Sequence, residues 1–133
     1  MRETEVHEWV TANLPGVKTR IENAISSGIF DLNIIHKGHE QWVEYKVRDG
    51  NLIKVAGTQF TWGLDRLEEG AQNLWFLVMR HGDPEPRLYS GNTILQRCNP
   101  AYNDGKRHML VDLSTVIARG TGRSSIRYQL FGY

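Results

Sequence analysis

Hydrophobic and polar positions alternate along the chain first with a helical period and then with the period of extended strands. Three apolar residues fall at helical spacing ahead of Pro15-Gly16, namely Val6, Trp9 and Val10. This pattern predicts an amphipathic helix over about residues 2–13. From Val17 to Ile25 one set of alternate positions is Val17, Thr19, Ile21, Asn23 and Ile25, and the other is Lys18, Arg20, Glu22 and Ala24. That period predicts a half-buried strand, with a helix as the weaker alternative.

The next part of the chain predicts a β-hairpin. Two β-rich segments, residues 29–35 and 41–47, are separated by a short polar segment that contains Lys37-Gly38. If the hairpin turns at this dipeptide, the numbers of directly opposed residues sum to 75. Asp31 is then expected to lie opposite Glu44.

A strand, a helix and a second strand are expected between the hairpin and Arg80. A turn at Asp49-Gly50-Asn51 precedes a short strand over residues 52–55. Apolar spacing then predicts a helix over residues 58–69, with Thr58 as its N-cap and Gly70 after its end. The uniformly apolar residues 74–79 predict a buried strand. This order predicts a β-α-β crossover, in which the strand over 74–79 lies parallel to the strand before the helix in one sheet.

Periodicity is weaker after Arg80, and short elements are expected there. The segments with strand-like or turn-like character are 88–89, 94–95 and 109–111, followed by a short helix within 113–118 and a strand over 126–131. The glycine-basic segment from Arg119 to Arg123 is interpreted as a surface turn, because Gly-x-Gly without a following helix is a weak indication of phosphate binding. Together the patterns predict an α/β fold with a mixed sheet flanked by helices.

Length and composition indicate one ordinary globular domain. The chain has 133 residues, of which 40% are hydrophobic and 23% are charged. These values are unlike those of disordered, collagenous or coiled-coil chains. No apolar run approaches the roughly 20 residues of a membrane span, and the start of the chain does not resemble a secretion signal. A cytoplasmic protein with no membrane partner is therefore expected.

The charge is unevenly distributed along the chain. Residues 1–79 carry eight Lys and Arg against eleven Asp and Glu, a net charge of −3, whereas residues 80–133 carry eight against four, a net charge of +4. A basic C-terminal part is compatible with a polyanionic partner, although a solvated surface has the same composition.

Three side chains of the predicted hairpin form the strongest candidate for chemistry. Residues two apart on a strand share a face, so Glu44 and Lys46 project together, and the register adds Asp31. Two opposed carboxylates repel each other unless a cation compensates their charge. Mg²⁺ prefers oxygen ligands and often takes one or two carboxylates, and a bound cation with a nearby lysine suits phosphodiester chemistry. The alternative is a solvated ion pair between Glu44 and Lys46, with Asp31 at a strand edge.

The order of motifs along the chain resembles a known family. Gly28-Ile-Phe-Asp31, Glu44-Tyr-Lys46 and Gln59-Phe-Thr-Trp62 resemble the PD-(D/E)XK nuclease superfamily and, within it, the VRR-NUC (virus-type replication-repair nuclease) group. The resemblance covers about residues 2–80, which would form the nuclease core. Residues 81–133 would form a basic extension of the same single domain. One departure is Phe30, which stands where the family usually has proline.

The resemblance implies a restriction-endonuclease-like fold and a role for each matched residue. It makes Asp31 and Glu44 the metal-binding carboxylates for Mg²⁺ or Mn²⁺, Lys46 the catalytic lysine, and Gln59 a residue that supports the site. The third metal-binding acid of the family is most similar to Glu3 in the first helix. Two alternatives for this third acid stay open, Glu5 and Glu22.

The function that the resemblance implies is metal-dependent hydrolysis of DNA phosphodiester bonds. The substrate would be branched DNA, such as a four-way junction, in phage replication, recombination or repair. Two coordinated cuts would call for a homodimer, while a monomer acting on flaps or ends is the alternative. A non-catalytic nucleic-acid-binding module with the same fold is the rival interpretation, and an unrelated protein with a coincidental hairpin is the third.

Overall fold

The computed structural model describes residues 1–22, 28–99 and 107–133. Within these ranges four α-helices are present, α1 (Glu3–Asn13), α2 (Gly57–Glu68), α3 (Gly91–Arg97) and α4 (Arg123–Phe131). The strands are β1 (Val17–Arg20), β2 (Leu32–His36), β3 (His39–Val47), β4 (Leu52–Ala56), β5 (Leu74–Met79), β6 (Arg87–Ser90), β7 (His108–Asp112) and β8 (Gly120–Thr121). A single 3₁₀ turn spans Leu113–Thr115. The predicted mixed α/β domain is confirmed.

The strands form one large mixed sheet and a separate two-stranded ribbon. The large sheet has the order β1-β2-β3-β5-β6-β8, in which β3 and β5 are parallel and the other neighbours are antiparallel. The ribbon consists of β4 and β7, which pair antiparallel. Strands from the basic C-terminal part therefore extend the same sheet that contains the hairpin.

The β2–β3 hairpin has the predicted register. Leu32 pairs with Val43 and His36 pairs with His39, so opposed residue numbers sum to 75 as expected. Both residues of the two-residue turn have positive φ, 48° at Lys37 and 81° at Gly38, as a tight hairpin turn requires. The strand predicted before the hairpin is confirmed at residues 17–20, and the last residues of that predicted strand, 23–25, lie outside the described ranges.

Two predictions about the second half of the sheet were wrong. The strand parallel to β5 is β3, not β4, because β4 pairs with β7 and is not part of the large sheet. The crossover therefore starts from β3 and passes through β4 before it reaches α2. The segment 126–131 is helical and not a strand, since Ile126 and Leu130 lie one helical turn apart and are both buried.

The large sheet separates two hydrophobic cores. The first core lies between one face of the sheet and the helices α1 and α4, and the second lies between the other face, α2, α3 and the ribbon. Alternate residues of β5 point into different cores, with Leu77 in the first and Phe76 in the second. None of the helices in the described part of the chain is long and apolar enough to cross a membrane.

Candidate active site

Strand β3 presents its central residues to the two cores in turn. Val43 and Tyr45 contribute to the first core, while Glu44 and Lys46 point to the side of the second core. Glu44 is 1% exposed and Lys46 is 8% exposed. Two ionisable groups are thus placed in a nearly dry environment next to each other, with the Lys46 Nζ 3.3 Å from the Glu44 Oε2.

Asp31 lies directly against Glu44, as the predicted register requires. The Asp31 backbone N–H donates to the Glu44 Oε1 over 3.2 Å, and the Tyr45 backbone N–H donates to the Asp31 Oδ2 over 2.9 Å. These two bonds fix the carboxylates of neighbouring extended segments against one another. The two carboxyl groups are therefore held close together.

Gln59 connects the lysine, the glutamate and the start of helix α2. Its Oε1 accepts from the Lys46 Nζ over 2.8 Å and from the Ala56 backbone N–H over 3.2 Å, and its Nε2 donates to the Glu44 Oε2. The Ala56 bond caps the helix, which begins at Gly57 with Ala56 as the N-cap. The predicted N-cap at Thr58 was wrong, because the side chain of Gln59 takes over part of the capping role.

Burial and neighbouring acids disturb the ionisation of the site. Burial raises the pKa of the Glu44 carboxyl well above its ordinary value of 4.5, Lys46 opposes this effect, and Asp31 and Glu3 raise the pKa further. A shift in this direction is typical of a carboxyl whose charged form is disfavoured by loss of contact with water. A cation at this position would favour the charged form.

Glu3 lies in the first turn of α1 at the edge of this cluster. Partial burial raises the pKa of Glu3, the nearby Asp31 raises it further, and Lys46 and Arg20 oppose the shift. Glu3 also lines the cleft described below. The other two acids considered for this role, Glu5 and Glu22, are exposed, as Glu3 is, but they do not line that cleft. The assignment of Glu3 as a metal ligand stays a prediction.

A contact between His7 and Tyr45 positions the helix that carries Glu3. The Tyr45 hydroxyl and the His7 Nδ1 are 2.7 Å apart, and the Arg20 guanidinium lies 5.5 Å from the centre of the Tyr45 ring. This hydrogen bond joins α1 to β3 at Tyr45, the residue whose backbone N–H donates to the Asp31 Oδ2. Sequence reasoning missed it, because the two residues are 38 positions apart and no local spacing connects them.

The segment that carries Asp31 is packed tightly on helix α2. Gly28 has φ +70°, and a β carbon at this position would overlap the Thr58 carbonyl group. Phe30 is fully buried, with its ring 4.9 Å from that of Trp62 and 5.2 Å from that of Phe76. Phe30 therefore anchors Asp31 through packing at the position where proline would constrain the backbone.

The site opens into a cleft of about 510 Å³ between the end of β3 and the ribbon. Its polar lining consists of Glu3, Lys46, Asp49, Lys54, Gln59 and His108. Asp31 and Glu44 are not part of this lining, and Glu44 contacts two residues that are, Lys46 and Gln59. Among residues 1–22, 28–99 and 107–133, no group of three or more His, Cys, Asp and Glu side chains is arranged to hold a metal ion. The donor set in direct contact is the pair Asp31 and Glu44.

Comparison with known proteins gives a match of fold. No family model matches the chain, and no curated protein matches its sequence. The structure is similar to that of Hjc, a Holliday junction resolvase from the archaeal hyperthermophile Archaeoglobus fulgidus, with a TM-score of 0.55 and 13% sequence identity over 86% of each chain. The comparison thus shows that the chain has a fold similar to that of this resolvase.

Proposed function

We propose that this protein is a metal-dependent endonuclease that hydrolyses phosphodiester bonds of branched DNA. The observation that carries this proposal is the connected cluster of Asp31, Glu44, Lys46 and Gln59, of which Lys46 and Gln59 line an open cleft. A solvated ion pair would not need this burial, nor a glutamine that contacts both members of the pair. The resolvase fold of the chain supports the same class of reaction.

The donor set fits Mg²⁺ or Mn²⁺. Asp31 and Glu44 offer oxygen ligands only, which hard cations prefer, and Mg²⁺ commonly takes one or two carboxylates and keeps water as its remaining ligands. Burial is the main cause of the raised pKa of Glu44, Asp31 and Glu3 add to it, and a cation beside the carboxylate would oppose the shift. Asp31 and Glu44 would hold the cation, and Glu3 would complete the set from α1.

The remaining groups have separate tasks in the reaction. When bound, the cation lowers the pKa of water and polarises a phosphoryl oxygen. Lys46 places its ammonium group in the cleft, where it neutralises charge that builds on the scissile phosphate. Gln59 holds the Lys46 ammonium in that position and keeps the Glu44 carboxylate oriented. The nearly dry surroundings of Glu44 and Lys46 strengthen these interactions relative to those in water.

A cleavage assay tests the proposal directly. Purified protein is incubated with linear, nicked, flapped and four-way DNA in Mg²⁺, in Mn²⁺ and in EDTA. We expect cleavage with either metal and none in EDTA. Glu44→Gln and Lys46→Met, which retain most of the side-chain volume, should each reduce the rate about a hundredfold or more. Glu40→Gln is the matched control, since Glu40 is an exposed acid on the same strand.

Each alternative outcome of this assay has a clear meaning. Equal rates for wild type, Glu44→Gln and Lys46→Met would show that the site is assigned wrongly. DNA binding without cleavage in either metal would favour a non-catalytic nucleic-acid-binding module. Neither binding nor cleavage would leave only the fold in common with nucleases.

We further propose that the preferred substrate is a four-way junction and that the protein acts as a homodimer. The fold of the Holliday junction resolvase Hjc supports this choice of substrate. Resolution of a junction needs two cuts, and residues 1–22, 28–99 and 107–133 of one chain contain one cluster of the kind described here. Preferential cleavage of the four-way substrate, together with a dimeric mass in sedimentation analysis, is the expected result. A monomer that prefers flaps would contradict it.

A further inference from the structure

The ribbon formed by β4 and β7 has two chemically different faces. Ile53, Val55 and Val111 are buried in the second core. The opposite face of the ribbon lines the cleft with residues from both strands, namely Leu52, Lys54, Ala56, His108 and Leu110. The pairing of Lys54 with Leu110 and of Ala56 with His108 places these residues side by side. The ribbon is therefore one wall of the candidate active site.

A groove continues from the active-site cleft across this wall. Leu52 and Leu110 also line a second cavity of about 430 Å³, which is bordered by Arg97 and Thr115. The two cavities thus share the same two leucines. Leu52 is 42% exposed, so the shared part is an open apolar surface.

Cationic side chains lie on both sides of the shared leucines. Lys46 and Lys54 line the inner cavity, and Arg97, at the end of α3, borders the outer one. Two acids also border the groove. Asp49 lies in the inner cavity, and Asp112 in the outer one accepts a hydrogen bond from the Ser114 backbone N–H over 2.9 Å.

The arrangement matches the chemistry of a nucleic-acid strand. Such a strand presents phosphates, which attract Lys and Arg, and between them sugars and base faces, which pack on apolar surface. In the groove, Lys54 and Arg97 can contact phosphates. Leu52 and Leu110, which lie between them, can contact sugars and base faces. Because the inner end of the groove is the candidate active site, a strand in the groove would lead to the reacting phosphate.

We propose that this groove binds the sugar–phosphate backbone of the DNA strand on one side of the scissile bond, with Lys54 and Arg97 contacting two of its phosphates. The inference rests on the proposed function for the identity of the ligand. It assigns a substrate-binding role to the outer face of the β4–β7 ribbon and to the end of α3, neither of which carries a residue of the proposed metal site.

Equilibrium binding tests the inference without any need for cleavage. A fluorescent four-way DNA is titrated in EDTA with wild type, Lys54→Gln, Arg97→Gln and the control Arg123→Gln. Arg123 is an exposed arginine at the start of α4, on the other side of the large sheet. Each groove variant should bind about fivefold more weakly at 0.1 M salt, and its plot of log affinity against log salt should be shallower by about one. The control should keep the wild-type affinity and slope.

Uncharged methylphosphonate linkages locate the contacts along the DNA. Placed one at a time around the cut site, they should weaken wild-type binding at a phosphate on one side of the cut. At the position that contacts Lys54, the same linkage should have no further effect on Lys54→Gln, because the charge pair is already lost. Equal effects on wild type and Lys54→Gln at every position would overturn the assignment.

The outcomes distinguish this inference from the proposed function. If the protein cuts DNA but Lys54→Gln and Arg97→Gln bind like Arg123→Gln, the groove is wrong and the nuclease stands. If no metal supports cleavage but the two groove variants still lose affinity and salt dependence, the groove stands and the nuclease is wrong. Thermal melting of each variant confirms that its fold is unchanged.

Discussion

The two faces of strand β3 are buried to the same extent but differ in chemistry. Tyr45, on the first face, is fully buried among apolar side chains, and its hydroxyl is satisfied by His7. Glu44, one residue away on the second face, is 1% exposed and depends on Lys46 and Gln59 for compensation. Burial therefore stabilises the fold on one face and imposes a desolvation cost on the other. This difference is typical of functional sites, where charge is retained at the expense of stability.

The largest expected effect comes from truncation on the apolar face. Tyr45→Ala removes a large buried ring and the hydrogen bond to His7, so the free energy of unfolding should fall by about 3–5 kcal/mol. Tyr45→Phe keeps the ring and should cost about 1 kcal/mol. Urea denaturation of both variants in EDTA measures the two values. Equal stability of Tyr45→Ala and wild type would show that this face does not carry the core.

Addition of metal should have the next largest effect on stability. This effect should depend on Asp31 and Glu44, on the polar face. A cation that binds the folded state stabilises it by about 2.7 kcal/mol at a concentration a hundred times its Kd. Mg²⁺ or Mn²⁺ should therefore raise the Tm of wild type and of Glu40→Gln by about 10 °C. Asp31→Asn and Glu44→Gln should show little or no increase. A similar increase in all four proteins would place the metal elsewhere.

A smaller effect, which is also stabilising, is expected when charge is removed from the polar face. The pKa of Glu44 is raised in the folded state, so the folded protein binds more protons than the unfolded chain and its stability falls as the pH rises above the ordinary value of 4.5. In Asp31→Asn the neighbouring charge is absent, and the amide can donate to Glu44. This variant should be about 1 kcal/mol more stable than wild type at pH 8 in EDTA.

The dependence of this gain on pH provides the control. Urea melts between pH 4 and pH 9 should show that the advantage of Asp31→Asn shrinks toward pH 4, below the ordinary Glu44 pKa of 4.5, where protonated Glu44 predominates in both the folded and the unfolded state. A gain that is the same at every pH would indicate a change in packing and not the relief of repulsion between two carboxylates.

The position of Asp31 against Glu44 could be predicted from the sequence, because it depends on a short local turn. The two-residue turn at Lys37-Gly38 determines the hairpin register, which in turn places Asp31 against Glu44. The contacts of Gln59 with Lys46 and Glu44 depend on how α2 meets the sheet, so only the resemblance to known nucleases suggested a role for this residue.

Pairings between distant segments could not be predicted in the same way. Strand β4 pairs with β7, about 60 residues later in the chain. The alternation of apolar and polar residues along β4 does not indicate whether its partner is β7 or β5. The C-terminal helix was mistaken for a strand because its apolar residues are few and include adjacent Leu130 and Phe131. Its burial against the first core, which the local sequence does not reveal, determines its form.

The close approach at Gly28 has a consequence for how the site tolerates change. The backbone of the Asp31 segment rests directly on the backbone of α2 near Gln59, with no intervening side chain that could rotate to relieve a displacement. A shift of α2 would therefore also move Asp31. The distance of Asp31 and Glu44 from Gln59 is thus set by contact between main-chain atoms. Residues of the groove can therefore be substituted one at a time. A larger side chain at Gly28 requires a simultaneous change in the position of helix α2.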